Sequence, residues 1–108
     1  MQEVIQDPSG FEVILTEICW IDHIVKNHPE MAQHRGEVLN TLKQPDGIYK
    51  GKRDNKTRIY LKKYHLTEDL GKWLDLLVFV GDDHRHVKTA YFAAYSFRAL
   101  GDMIWPTQ

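Results

Sequence analysis

The chain is poor in cysteine and has no long apolar run. Its single cysteine, Cys19, excludes an internal disulfide framework, which favours the reducing cytoplasm as its compartment. No segment approaches the roughly 18–20 consecutive apolar residues that span a bilayer, so we expect no contact with a membrane. Residues 1–7 have neither the basic region nor the apolar region of a secretory signal peptide. These absences together predict a cytoplasmic protein.

Motifs that bind cofactors or metals are also missing. The sequence has no glycine-rich phosphate loop, no nucleophile elbow and no dinucleotide fingerprint. Its six histidines are scattered, and none has the spacing of a structural zinc site or of an HExxH helix. His84 and His86 lie two residues apart beside Asp82 and Asp83, but this stretch is more typical of a solvated turn. We therefore expect no metal and no cofactor.

What is present is an ordinary globular composition with clear secondary-structure patterns. The chain has 108 residues, 43% of them hydrophobic, which predicts a single domain over 1–108. The predicted elements are a strand at 11–15, helices at 17–28 and 35–43, and strands at 48–52, 57–64, 74–80 and 87–95. Segregated helices and strands indicate an α+β fold. We expect the N-terminal helices to pack on one face of a four- to five-stranded antiparallel sheet, leaving the other face as a cleft.

The charge is unevenly distributed along the chain. The formal net charge is −1, yet the window 50–63 has one acid, Asp54, among seven basic residues, which are Lys50, Lys52, Arg53, Lys56, Arg58, Lys62 and Lys63. A positive stripe of this kind suits the tracking of a phosphate backbone, and Lys50 and Lys52 are candidate substrate-binding residues. The alternative is an exposed hairpin whose lysines discourage edge-to-edge aggregation.

Strand periodicity divides the remaining candidates between two faces. In the strand 57–64, Ile59 and Leu61 are expected to pack on the helices, because alternate residues share a face. The opposite face then carries Arg58, Tyr60, Lys62 and Tyr64. In the strand 87–95, Thr89 and Tyr91 point the same way, with Ala90 packed on the helices. Cations and phenol rings on one face suit unpaired RNA, although a solvated sheet face has the same composition.

Two histidines are candidates for proton transfer. His23 falls beside Trp20 on a helical wheel, at the rim of the apolar stripe, where a neutral imidazole can exchange a proton with a ribose hydroxyl. An ordinary surface histidine fits the same position. His28 is the weaker candidate, because it lies at a predicted helix C-terminus, where interaction with the dipole and the last carbonyls gives it a mainly architectural role.

Four short motifs resemble the phage-associated branch of the Barnase–EndoU–colicin–RelE nucleases. They are the Trp-x-x-His-Ile helix at 20–24, the His-Pro-Glu at 28–30, the Leu-x-x-Pro-Asp-x-Ile stretch at 42–48, and the Val-x-Thr-Ala-Tyr strand at 87–91. Each is weak alone, but their order and intervals together carry the resemblance, which spans about 11–95. The resemblance implies a metal-independent endoribonuclease with its active site on the open side of the sheet.

The resemblance also assigns roles to particular residues. It implies that His23 transfers a proton and that Thr89 and Tyr91 bind or orient the scissile phosphate. Arg58 and Lys62 fall on the strand that supplies cationic groups, and the remaining substrate-binding candidates are Tyr60, Tyr64, Lys50, Lys52 and His28. The implied partners are RNA and an antitoxin or immunity protein, since such nucleases serve as toxins or effectors of phage and mobile elements. The alternative is a catalytically silent module that binds RNA or protein.

Overall fold

The computed structural model describes residues 2–66 and 72–106. In chain order the elements are β1 (Gln2–Gln6), β2 (Glu12–Thr16), α1 (Glu17–Cys19), a π-helical turn (Trp20–Val25), a 3₁₀ turn (Pro29–Gln33), α2 (Arg35–Lys43), β3 (Gly47–Gly51), β4 (Thr57–Leu66), β5 (Lys72–Gly81), β6 (Val87–Ala93), a second 3₁₀ turn (Ser96–Arg98) and β7 (Leu100–Trp105).

The strands form two antiparallel sheets. β1 and β2 pair as a hairpin, and the other five form a sheet of order β6-β5-β4-β3-β7. β4 and β5 are the longest strands and pair along their whole length, so they form the centre of the larger sheet. The α+β class and the five-stranded antiparallel sheet are confirmed.

Local sequence signals explain where the helical segments begin and end. The Thr16 hydroxyl accepts a hydrogen bond from the Cys19 amide at 3.1 Å, which caps the first turn. α2 spans Arg35–Lys43, as predicted, and buries Val38 and Leu42. It ends before Pro45, which has no N–H to continue the helix.

The main core lies on one face of the larger sheet, which we call the covered face. Tyr60, Val78 and Ala90 pair in register across β4, β5 and β6, so their side chains share that face. All three belong to one buried cluster with Ile24, Val38 and other side chains from the helical segments, and with core residues of the β1–β2 hairpin. The covered face is therefore covered by the β1–β2 hairpin as well as by short helical segments. The predicted α+β class is confirmed, but the cover does not consist of helices alone.

The opposite face, the open face, carries a second register set. Ile59 pairs with Phe79 and Phe79 with Thr89, while Leu77 pairs with Tyr91. Ile59 and Leu77 are each 1% exposed, yet neither belongs to the main core cluster. The middle of the sheet, at Ile59 and Tyr60 on β4 and Leu77 and Val78 on β5, is therefore buried on both faces.

Two strands were missed by sequence analysis. No element is predicted over β1, and β7 lies beyond the last predicted strand; Trp105 at its end packs against the core. The predicted polar connection at 66–72 lies mostly outside the described residues.

Candidate functional site

The open face holds a cavity of about 560 Å³. Its floor is apolar and includes Ile59, Leu77 and Phe79 from the two central strands. One wall is the β3–β4 connection at 51–54, and another is the segment 93–99 that follows β6. Ser96 helps to fix that second wall, because its hydroxyl donates to the Asp75 carboxylate on β5 at 2.6 Å. An apolar floor of this type is suited to bind a planar apolar group of a ligand.

Three aromatic rings contact one another in series, and we call them the ring column; its third ring, His28, is not among the described residues that line the cavity. The Tyr91 ring stacks on Phe79 with centroids 5.4 Å apart, and its other neighbour is the His28 imidazole at 5.0 Å. Tyr91 and Phe79 both line the cavity. The ring column therefore brings an imidazole, an acid–base group, next to a phenol at the edge of a binding surface.

The rim of the cavity is cationic. Lys52, Arg53 and Arg98 line it, and Asp54 is the one acid among the lining residues that the structure describes. The Arg98 guanidinium lies 5.5 Å from the Tyr95 ring centroid, and the Tyr95 side chain is 65% exposed. A site with a positive surplus in a chain of net charge −1 favours anionic ligands.

The predicted direction of the β4 side chains is wrong. Tyr60 is 0% exposed and belongs to the main core. Lys62 donates to the Gln44 carbonyl at 2.7 Å, and the Tyr64 hydroxyl donates to the Glu37 carbonyl at 3.0 Å, so both are bound to α2 and its end. These polar groups lie on the covered face because other segments of the chain supply their partners.

Arg58 also lies on the covered face. Its Nε donates to Asp82 at 2.9 Å, and its Nη1 lies 3.8 Å from the Asp7 carboxylate. Arg58, Tyr60 and Lys62 therefore do not converge with Thr89 and Tyr91, which the β5–β6 register places on the open face. The predicted orientation of Thr89 and Tyr91 agrees with the structure, and their catalytic roles stay predictions.

His23 is separated from the ring column. It is exposed and lines a second cavity of about 410 Å³, together with Cys19, His86 and Lys88. Among the described residues, none lines both cavities. The structure thus does not bring His23 to Tyr91, and it brings His28 there instead.

The other predicted binding residues divide between sites. Lys52 lines the open-face cavity, whereas Lys50 is exposed on β3, in register with Arg58. Cys19 is buried and its thiol donates to the Val87 carbonyl at 3.0 Å. Burial raises the pKa of this thiol, which fits its expected behaviour as a small hydrophobe.

Tyr60 and Asp7 form the most buried polar contact of the covered face. The Tyr60 hydroxyl donates to the Asp7 carboxylate at 2.5 Å. Burial, then this hydrogen bond and the charge of Asp7, raise the pKa of Tyr60 far above its ordinary value. The contact is structural, because it joins the β1–β2 turn to the central strand.

The raised pKa of Tyr60 predicts a loss of stability at alkaline pH. The unfolded chain loses this proton near pH 10 while the folded chain still holds it. The contribution is therefore complete below about pH 10 and declines as pH rises beyond that, by up to about 1.4 kcal/mol per pH unit. Urea unfolding of the wild type and of Tyr60→Phe, at about pH 8 and about pH 11, measures it. An identical pH dependence in both proteins would contradict the assignment.

Four residues that line the cavity are not among the predicted site residues: Arg53, Arg98, Phe79 and Tyr95. The signal available for the last wall was the Tyr-Ser-Phe-Arg stretch at 95–98, which holds two aromatic residues and one cationic residue. Its position over the open face depends on the contact with Asp75, which sequence pattern does not reveal.

Within residues 2–66 and 72–106, no helix is long and apolar enough to cross a membrane. In the same part of the chain, no three or more histidine, cysteine, aspartate or glutamate side chains are grouped so that they could hold a metal ion. A comparison with family models, curated proteins and solved structures finds no match to this chain, so the nuclease resemblance rests on the motifs quoted above.

Proposed function

We propose that the chain is a metal-independent endoribonuclease that binds and cuts RNA on its open face. The observation that carries this proposal is the ring column of His28, Tyr91 and Phe79 beside a cavity with a cationic rim. The proposal keeps the chemistry implied by the motifs but moves the acid–base group from His23 to His28.

The cavity suits both the base and the phosphate of a nucleotide. Bases stack on aromatic side chains with a gain of about 1–3 kcal/mol each, and Phe79 and Tyr91 present such rings. Lys52, Arg53 and Arg98 on the rim neutralise backbone phosphates. An unpaired base on the floor leaves its phosphate at the rim, which is where the cations lie.

The reaction is an intramolecular phosphoryl transfer, in which the RNA supplies its own nucleophile. The neutral His28 imidazole takes the proton of the ribose 2′-hydroxyl, and the oxygen attacks the adjacent phosphorus. The bond from phosphorus to the 5′-oxygen breaks, and that oxygen receives the proton back from the imidazolium. The Tyr91 hydroxyl donates to a phosphoryl oxygen, where charge develops. The products are a 2′,3′-cyclic phosphate and a 5′-hydroxyl.

Cleavage of an end-labelled unpaired RNA in excess EDTA tests the proposal. The wild type should cut the RNA, because no step uses a metal. A metal-dependent hydrolase would lose its activity in EDTA, and that result would contradict the proposal. RNA that is retained but never cut would instead support the second candidate.

That second candidate is a catalytically silent RNA-binding module on the same fold. One observation favours it: Arg58 and Lys62, which lie on the strand that supplies cationic groups in the resembling nucleases, are occupied by protein partners on the covered face. The open-face cavity would then bind RNA without the acid–base step.

We extend the main proposal to a toxin or effector role, with growth arrest of a bacterial host as its cellular consequence.

A further inference from the structure

Thr57 lies at the end of the open face between two glycines, and we call the space around its side chain the trough. It pairs with Gly81 on β5, and Gly51 at the end of β3 lies beside it. An ideal Cβ on Gly51 would lie 3.4 Å from the Thr57 Cβ. A strand glycine flanking one side chain often marks the close approach of another group. Two other side chains enter this trough.

Lys88 reaches the trough from β6. The β5–β6 register shifts between Phe79 and Val80, so Lys88 is the extra residue of a β-bulge. Its Nζ donates to the Thr57 hydroxyl at 3.0 Å and lies 3.8 Å from the Asp54 carboxylate. The Thr57 hydroxyl in turn donates to Asp54 at 3.2 Å. Thr57 and Asp54 therefore fix the position of the Lys88 ammonium, which has further N–H donors.

His84 fills the space beside Thr57 that a side chain on Gly81 would occupy. An ideal Cβ on Gly81 would lie 2.3 Å from His84 Nε2, so glycine at this position lets the imidazole lie against the strand backbone. Side chains paired across antiparallel strands lie about 4.5–5.5 Å apart at Cβ, which places the imidazole next to Thr57. The turn that presents it contains Arg85, whose φ of 65° is unusual for a non-glycine residue.

A backbone contact fixes the tautomer of His84. The His86 amide donates to His84 Nδ1 at 3.1 Å, so Nδ1 is an acceptor. In the neutral ring the proton is then on Nε2, which makes this atom a hydrogen-bond donor over Gly81. His84 is therefore suited to hold an anion and unsuited to accept a proton at Nδ1.

We propose that Lys88 and the Nε2–H of His84 form an anchoring site for a phosphate group. Thr57 and Asp54 are its positioning residues, because they act through Lys88. Both positioning residues also line the open-face cavity, which places the anchoring site at the edge of that cavity, while Lys88 itself lines the second cavity. The assignment of this phosphate to RNA rests on the proposed function; the anion site itself does not. Two carboxylates oppose an anion here: Asp54, beside Lys88, and Asp83, which lies 3.9 Å from His84 Nε2. The three cations Lys52, Arg53 and Lys88 outnumber them.

Titration with inorganic phosphate at constant ionic strength tests this site. Amide and imidazole nitrogen shifts at 81–88 should change and saturate in the wild type. Lys88→Met and His84→Ala should each weaken binding on the order of tenfold, because each removes one donor to the anion. Lys88→Arg and His84→Gln retain a donor and should restore most of it. Lys43→Met, an exposed lysine on α2, is the matched control and should bind as the wild type does.

Two outcomes would overturn the site: shifts at 81–88 that do not saturate, or equal phosphate affinity in Lys88→Met and the wild type. Cleavage of labelled RNA by the same variants separates the two proposals. If phosphate binds as described but RNA is neither bound nor cut, the proposed function fails and the anchoring site stands. If Lys88→Met cuts RNA at the wild-type rate and phosphate does not bind, the anchoring site fails and the function stands.

Discussion

Replacing Asp7 by alanine is expected to lower the free energy of unfolding by about 3–5 kcal/mol. The Asp7 side chain is 0% exposed and lies 3.8 Å from the Arg58 guanidinium. It accepts hydrogen bonds from the Ser9 and Phe11 amides and from the Tyr60 hydroxyl. Alanine leaves these donors and the partly buried cation without their acceptor, and it also releases the β1–β2 turn from β4.

Urea unfolding at neutral pH measures this effect. Asp22→Ala is the matched control, since Asp22 is exposed on the π-helical turn, and we expect a change within about 0.5 kcal/mol. Asp7→Asn keeps one acceptor oxygen and should lie between the two. A loss of less than about 1 kcal/mol in Asp7→Ala would contradict the view that this carboxylate joins the hairpin to the sheet.

Replacing His28 by alanine is expected to slow RNA cleavage by about 10²–10⁴-fold with little change in RNA affinity. The reason is that the imidazole supplies proton transfer, while the rim cations and the rings of Phe79 and Tyr91 supply binding. Single-turnover rates with saturating enzyme separate the chemical step from binding. In the cell, His28→Ala should relieve growth arrest.

Two further variants make this result specific. Gln33→Ala changes an exposed residue of the adjacent 3₁₀ turn and should cut at the wild-type rate. His23→Ala tests the assignment that the sequence motifs imply. If His23→Ala loses activity and His28→Ala keeps it, the acid–base group lies in the second cavity and the ring column has no catalytic role.

The elements were predictable where one local signal dominated. The apolar spacing of Val38 and Leu42 and the stop at Pro45 placed α2 at its observed bounds. The continuous apolar run of β5 indicated a strand buried on both faces, and it lies inside the sheet. By contrast, β7 contains an exposed Asp102 and is a strand because β3 pairs with it.

The faces of β4 were predicted wrongly for a physical reason. Alternation separates two sets of residues but does not say which set is buried. Tyr60 and Arg58 are on the covered face because Asp7, far away in sequence, accepts from one and lies near the other. The partners of Lys62 and Tyr64 likewise come from α2 and its end. Such long-range partners are invisible in a local pattern.

The candidate site was predictable only in part. The direction of Tyr91 followed from strand alternation, and Lys52 followed from the basic window. The pairing of His28 with Tyr91 depends on how the chain between the π-helical and 3₁₀ turns packs near β6. His84 and Lys88 depend on a turn with a positive φ and on a β-bulge, neither of which has a clear sequence signal here.

The chemical identity of the new RNA ends tests the central claim most directly. A short unpaired RNA is incubated with the protein in excess EDTA, beside a matched RNA in which the ribose at the cut site lacks its 2′-hydroxyl, and the fragments are weighed by mass spectrometry. Attack by the 2′-oxygen predicts a 2′,3′-cyclic phosphate and a 5′-hydroxyl from the first RNA and no cut in the second. A 3′-hydroxyl with a 5′-phosphate, equal cutting of both RNAs, or no cutting at all would contradict the account.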